Sequence, residues 1–323
     1  MKHKIIIDTD PGIDDAQAIA YAIAHPELEL MALTTVFGNA SVDVTTRNAL
    51  SVLEKFDALG VEVARGASSP LRIERFPSPD FVHGVDGMGN LDIAPKQLAE
   101  HELGAAEYIV QAANQNLGEL TVVAIGPLTN IAKALSLDPE LPAKLKRLIV
   151  MGGTVSAPGN VSPVAEANFI NDPHAADLVC SQNWPLSIVG LDVTMKIALT
   201  DSHFDELKQK AGSAGEFLWQ SSRYYVDFYS SLPTPISNER ACAMHDASAL
   251  VFLTNPELFT MSKGVARVAT SGVAMGQLIS ANSSEKYLLP HWRDLPDIHW
   301  AVQVESDQVL NCFLNTLVHY FKL

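Results

Sequence analysis

Positive charge is in short supply in this sequence. Lys and Arg number 22 against 37 Asp and Glu, a formal net charge of -15. That balance argues against a nucleic-acid-binding surface or a polybasic membrane anchor. Cysteine is scarce too. Cys180, Cys242 and Cys312 are far apart and odd in number, which excludes a disulfide framework or a close-spaced zinc-ligand pair and points to a reduced, cytoplasmic setting. No apolar run reaches the ~20 residues that span a bilayer. The opening MKHKIIIDTD ends its short apolar run at two acids, unlike a signal peptide. Hydrophobic residues make up 47% and charged residues 18% of the chain, which excludes a disordered polypeptide.

A chain of 323 residues with no repeat, low-complexity segment or charged linker is expected to form a single α/β domain over 1–323. Short Val/Ile/Leu-rich runs predict strands at Lys4–Asp8, Leu28–Val36, Val61–Ala64, Leu120–Ile125, Arg147–Met151 and Pro185–Leu191. Helical patterns at Ala16–Ala24, Val44–Leu59, Ala105–Asn116, Asn130–Leu135 and Pro173–Cys180 lie between or just after them. Continuous apolar strands alternating with helices predict a mostly parallel central sheet flanked by helices on both faces. Further helices are expected at Asp201–Lys210, Gly215–Ser231 and Ala243–Leu253, with a late strand at Lys263–Ala269. A last helix over Ser306–Phe321 carries its apolar residues at helical spacing, with Ser306 as the expected N-cap. Ser68–Lys96 and Gly152–Asp172 read as long loops, and long loops in compact domains are often functional.

Chemistry concentrates first in IIIDTDPGIDDAQAI, where Asp8, Asp10, Asp14 and Asp15 follow an apolar strand within eight residues. Capping of the next helix accounts for Asp14 or Asp15, but not for Asp8 and Asp10 at a strand end, the edge where α/β folds bind ligands. A hard divalent cation on carboxylate oxygens compensates the repulsion, calcium or magnesium rather than zinc, since no Cys or paired His is near. Pro11-Gly12 supplies the turn that folds the second acid pair back towards the first. VVAIGPLTNIA again runs from strand to Gly-Pro turn to helix and leaves strand-end carbonyls free for a cation. MHDAS adds His245 and Asp246, and AEANFINDP adds Glu166, Asn168 and Asn171, groups suited to sugar hydroxyls. Taken alone, a His-Asp pair or a polar loop is more often structural.

In order along nearly the whole chain, DTDPGIDDAQAI, VFGNA, HGVDGMGN, AIGPLTNIA, IVMGG, AEANFINDP and MHDAS resemble the inosine-uridine nucleoside hydrolase family. The resemblance implies a Rossmann-like nucleoside hydrolase fold. It implies calcium held by Asp10, Asp15, the Ile125 carbonyl and Asp246, and hydrolysis of the N-glycosidic bond of ribonucleosides through an oxocarbenium-like transition state. Asp10 is then the general base on the attacking water and His245 the general acid for the departing base. Asp14, Asn39, Asn160, Glu166 and Asn168 match the ribose-binding positions, with Met151 beside the sugar. His83 would contact the 5′-hydroxyl or the base side, and Tyr225 and Tyr229, with Tyr224 and Phe228, would cover the base. The Gly84–Gly89 loop and the helix near Tyr225 would act as lids. One departure is Ala167, where the family pattern carries Phe, which leaves less side chain beside the ribose pocket.

Trp184, Trp219, Trp292 and Trp300 fall outside the pocket segments, so the resemblance implies a pyrimidine or broad uridine/inosine preference. It also implies a homo-oligomer, dimer or tetramer. Two rival readings remain at this level. Asp8 and Asp10 as Asp-x-Asp after the first strand match a magnesium-dependent phosphatase of the haloacid dehalogenase type, although DPGIDD is the wrong continuation. A ribonucleoside-binding protein without catalysis would keep the pocket but need no base.

Overall fold

A computed structural model describes residues 2–285 and 287–322. Its strands are β1 (His3–Thr9), β2 (Leu28–Thr35), β3 (Glu62–Arg65), β4 (Thr121–Ala124), β5 (Arg147–Met151) and β6 (Leu186–Val189). They continue with β7 (Ala198–Thr200), β8 (Ala241–Ala243), β9 (Phe259–Val268), β10 (Leu278–Ala281) and β11 (Ile298–Val304). Among the described residues nine of these form one sheet in the order β10-β9-β11-β6-β5-β4-β1-β2-β3, and β7 pairs with β8. The pairings from β3 across to β11 are parallel, while β9 runs antiparallel to β11 and β10 antiparallel to β9.

The continuous apolar strands have the burial that a two-faced sheet requires. Ile5, Ile6 and Ile7 are all fully buried. Ile5 and Ile7 pack into the core that the helices Ile13–Ala24, Gly212–Ser230, Asp246–Thr254 and Ser306–Tyr320 help form, and Ile6 into the opposite core under Ala105–Gln115, Thr129–Leu137 and Pro173–Cys180. Chain order reverses at β1, whose neighbours are β2 on one side and β4 on the other. Such a switch point opens a crevice beyond the carboxyl ends of the strands. Asp10 follows the end of β1 and Ile125 follows the end of β4, so both project into this crevice region.

The sheet extends beyond the expected elements. The first helix begins at Ile13 and the second spans Val42–Lys55, each two or three residues earlier than its apolar period suggests, because the first turn carries polar residues. β9 starts at Phe259 rather than Lys263. β10 and β11, unmarked by any long apolar run, complete the antiparallel edge. Ala243 belongs to β8, and the helix after it starts at Asp246. Ser306 is not an N-cap. It is the first helical residue, after Glu305, and no side chain caps that helix. The two expected loops hold short helices, Asp80–His83 and Ala167–Asn171. No helix among the described residues is long and apolar enough to cross a membrane.

Candidate active site

The two turns at the switch point build the floor of the site. After β1, Gly12 precedes the helix Ile13–Ala24, and its N–H donates to Asp15 Oδ2 at 2.8 Å. Asp15 therefore caps the helix and is held for a second purpose as well, since Thr9 Oγ1 donates to its Oδ1 and Asn39 Nδ2 to its Oδ2 at 3.0 Å. The Asn39 N–H donates to Asp10 Oδ2 at 2.7 Å, and its side-chain amide reaches the Asp10 carbonyl at 3.2 Å. A Cβ added to Gly126, in the turn after β4, would lie 2.5 Å from Asp10 Oδ1. Glycine is thus required for the two turns to approach.

Asp14, Asp15 and Asp246 each offer a carboxylate oxygen within 4.8 Å of the others. Asp10 stands beside this group with its Oδ1 unpartnered and buried, and Asp14 Oδ1 is likewise without a hydrogen-bond partner. Burial followed by repulsion from Asp15 pushes the Asp10 carboxyl well above its ordinary range, and burial followed by Asp14, Asp15, Asp10 and Glu166 does the same to Asp246. Asp14 and Asp15 are raised to about 6, mainly by burial. The two nearby bases do not compensate, because burial lowers both His83 and His245 to about 4 and keeps them neutral at pH 7. Unpartnered buried carboxylate oxygens without a cationic side chain fit a divalent metal ion, and the all-oxygen donor set suits a hard one.

The remaining expected residues fall into three groups. His83 Nδ1 accepts from the Ile13 N–H at 3.3 Å and lies 3.9 Å from Asp14 Oδ1, and its ring stacks on Tyr225 at 5.3 Å between centroids. Tyr225 donates its hydroxyl to Asp14 Oδ2 at 3.1 Å, and Tyr229 Oη lies 2.6 Å from His245 Nε2. Across the cleft, the Asn168 side-chain amide donates to the carbonyls of Ile125 and Met151 at 3.0 and 3.1 Å. Glu166 is buried and accepts from the N–H groups of Gly153, Asn168 and Phe169, while burial still lifts its carboxyl to about 7. Asn160 stands apart: it is exposed, and its Oδ1 accepts from the Ala167 N–H at 3.0 Å, bracing the loop that carries Glu166.

Asp8 is not in the cleft. It is fully buried behind the cluster, where Thr34 Oγ1 donates to its Oδ1 at 2.6 Å and Asn130 Nδ2 at 2.8 Å. An attacking carboxylate of the dehalogenase type needs access to substrate, so this placement disfavours that reading. Four residues missed at the sequence level shape the site. Asn48 donates to the carbonyls of Pro11 and Asp86 and ties the first acidic turn to the glycine-rich loop. Asp86 accepts from the N–H groups of Met88, Asn90 and Asp92. Asp192 accepts from those of Val155, Ser156 and Ala157. Thr194 Oγ1 lies 2.7 Å from His245 Nδ1. None of the four carries a spacing signal that marks it.

This architecture is shared with known enzymes. A solved plant nucleoside hydrolase superposes with a TM-score of 0.93 at 34% identity, covering 98% of this chain and 99% of that one. Uridine nucleosidase 1 of Arabidopsis thaliana is 39% identical over 86% of this chain and 82% of its own length. A non-specific ribonucleoside hydrolase of Salmonella enteritidis is 40% identical over 83% and 84%. The family model described as inosine-uridine preferring nucleoside hydrolase matches residues 5–311. The chain belongs to the inosine-uridine preferring nucleoside hydrolase family and is an N-glycosyl hydrolase.

Proposed function

We propose that the protein is a calcium-dependent ribonucleoside hydrolase acting on uridine and related nucleosides, with Asp10, Asp15, Asp246 and the Ile125 carbonyl as the ligands of the ion. The observation that carries the reading is the buried carboxylate group at the switch point, with unpartnered oxygens on Asp10 and Asp14 and, among the described residues, no Lys or Arg paired with it. Asp14 lies close enough to Asp15 and Asp246 to share in holding the ion. Calcium bound there neutralises the carboxylates and acidifies a water molecule.

The chain's own groups supply the rest. Asp10 Oδ2 is fixed by the Asn39 N–H, which leaves Oδ1 to take the proton of the attacking water. Attack opposite the base gives inversion at C1′ without a covalent intermediate. Asp14, Asn39, Glu166 and Asn168 orient the ribose hydroxyls, and Met151 lines the sugar. A buried site rich in carboxylates favours the positive charge that develops on the ribose. His83 and Tyr225 border the 5′ and base sides, and Tyr229 with His245 faces the departing base.

The uridine preference is supported by the plant relative's name and by the tryptophans. Trp184 and Trp300 are buried in the core on the far side of the sheet, and Trp219 donates to Asp205. Oligomerisation as a dimer or tetramer belongs to the same proposal. Reducing-sugar release from uridine, cytidine, inosine, adenosine and guanosine, with calcium and with chelator, tests the reading. Release that requires the metal and Asp10 and is fastest on uridine is expected. No release from any nucleoside by folded, calcium-loaded protein would overturn it.

A further inference from the structure

Thr194 ends the short helix Leu191–Thr194 that follows β6, and it is fully buried. Its hydroxyl has one hydrogen-bond partner among the described residues, His245 Nδ1 at 2.7 Å, while the other ring nitrogen, Nε2, lies 2.6 Å from Tyr229 Oη. A neutral imidazole carries one N–H, so the two hydroxyls cannot play the same part. If Nδ1 held the hydrogen, it would donate to Thr194, and the Thr194 hydroxyl hydrogen would point into a fully buried space with no acceptor, an arrangement that carries a penalty. Tyr229 would meanwhile spend its own hydrogen on Nε2. In the reverse arrangement Thr194 donates to Nδ1 and Nε2–H donates to Tyr229 Oη, so the fully enclosed threonine keeps no idle hydrogen. The one hydrogen left over is that of the Tyr229 hydroxyl, and Tyr229 retains 5% exposure where Thr194 has none.

From this asymmetry we infer that Thr194 is a positioning residue that fixes His245 as its Nε2–H tautomer and so frees the Tyr229 hydroxyl to donate to the departing base. The inference rests on the nucleoside hydrolase reading of the site and adds to it a direction for the hydrogen bonds. Donation from Nε2–H onto Tyr229 Oη polarises the phenol and strengthens the bond that it makes to the base. Thr194 itself does not touch substrate.

Two measurements on the calcium-loaded protein test this. Two-bond proton–nitrogen correlation spectra of the histidine rings report the tautomer directly and need no variant. The wild-type His245 pattern should be that of Nε2–H, and an Nδ1–H pattern would overturn the inference. The second measurement compares Thr194→Val with Thr194→Ser on a nucleoside and on 4-nitrophenyl ribofuranoside, whose leaving group needs no hydrogen-bond assistance. Thr194→Val should lower kcat on the nucleoside about tenfold, the size of one lost oriented hydrogen bond. It should leave KM and turnover of the nitrophenyl riboside nearly unchanged, and Thr194→Ser should restore the nucleoside rate. Equal losses on both substrates would mean a merely structural role, and no loss on the nucleoside would mean that the hydroxyl directs nothing. Failure of the underlying reading looks different, because the wild type would then release no sugar from nucleosides whatever the tautomer.

Discussion

At the scale of single residues, four acids that look equivalent in DTDPGIDD are separated by what holds each oxygen. Donors from Thr9, Gly12 and Asn39 orient Asp15 and leave lone pairs on its oxygens, Asp10 and Asp14 each keep an oxygen without a partner, and Asp8, whose Oδ2 is also unpartnered, is fully enclosed and held by Thr34 and Asn130. Asp10→Asn should therefore lower kcat by about a hundred- to ten-thousand-fold, the range for loss of a positioned base. Circular dichroism should show an intact fold, and a kcat within a few-fold of wild type would contradict the base assignment. Asp8 is a structural group. Asp8→Ala leaves Thr34 and Asn130 without their buried acceptor and should cost about 1–3 kcal/mol in denaturant unfolding. Turnover per folded molecule should fall far less than in Asp10→Asn. The sequence motif made the presence of a carboxylate site legible. It could not tell Asp8 from Asp10, because the difference lies in Thr34 and Asn130, far away in the chain, which hold Asp8 inside the sheet, while Asp10 lies just past the strand end. Thr194 was illegible for the same reason: a threonine in LDVT has no mark of the histidine that it meets.

At the scale of elements, the strand–turn–helix units were legible because each joins an apolar run to a Gly-Pro or Pro-Gly turn. β10 and β11 were not, since IHWAVQV mixes apolar and polar residues at an antiparallel edge and reads as a weak strand. The turn after β4 gives a local test. A Cβ at Gly126 would lie 2.9 Å from Val36 Cγ1 as well as 2.5 Å from Asp10 Oδ1. Gly126→Ala should thus displace the Asp10 carboxylate, lower kcat at least about tenfold and weaken calcium binding. Calorimetric titration of calcium checks this, and unchanged affinity with unchanged kcat would show that the turn has slack. The short helix Asp80–His83, which leads into the glycine-rich loop, rests on the helix Gly212–Ser230. Tyr224 Oη donates to the Asp80 carbonyl, and Phe81 packs 5.9 Å from Phe228 between centroids.

At the scale of the whole molecule, burying so many carboxylates gives metal-free stability a definite pH dependence. Asp8 and Glu166 titrate at about 7 in the folded chain and Asp14 and Asp15 at about 6, all above their ordinary values. The folded state thus holds more protons than the unfolded one across that window. The stability these groups contribute is full below the ordinary carboxyl range and is lost as pH rises through about 7. Asp138, held down by Lys144, and Glu54, held down by the Leu98 N–H, act with the opposite sign at lower pH, and His83 and His245, lowered to about 4 by burial, oppose the trend inside the window but are outnumbered by the raised carboxyls. Calcium requires the ionised carboxylates, so its affinity should rise over the same window. The Tm of chelator-treated protein should fall between about pH 5 and 7 while the Tm gain on adding calcium grows, as scanning calorimetry would record. A metal-free Tm that climbs through this range would contradict the assignment.

The sheet order carries a consequence for how the chain is made. β9 and β10 precede β11 in the sequence, yet they reach the rest of the sheet only through it, because β11 lies between β6 and β9. A ribosome therefore delivers the β9–β10 hairpin before its docking strand exists. Until residues 298–304 emerge, β6 keeps an open edge and the hairpin has no strand of the sheet to pair with, its remaining anchor being Arg267 and Val268 on Asp177 of the helix Pro173–Cys180. Synthesis stalled ahead of Ile298 should leave a nascent chain in which the hairpin is cut readily by protease while β1 to β5 resist, and release of the stall should close the sheet in a single late step.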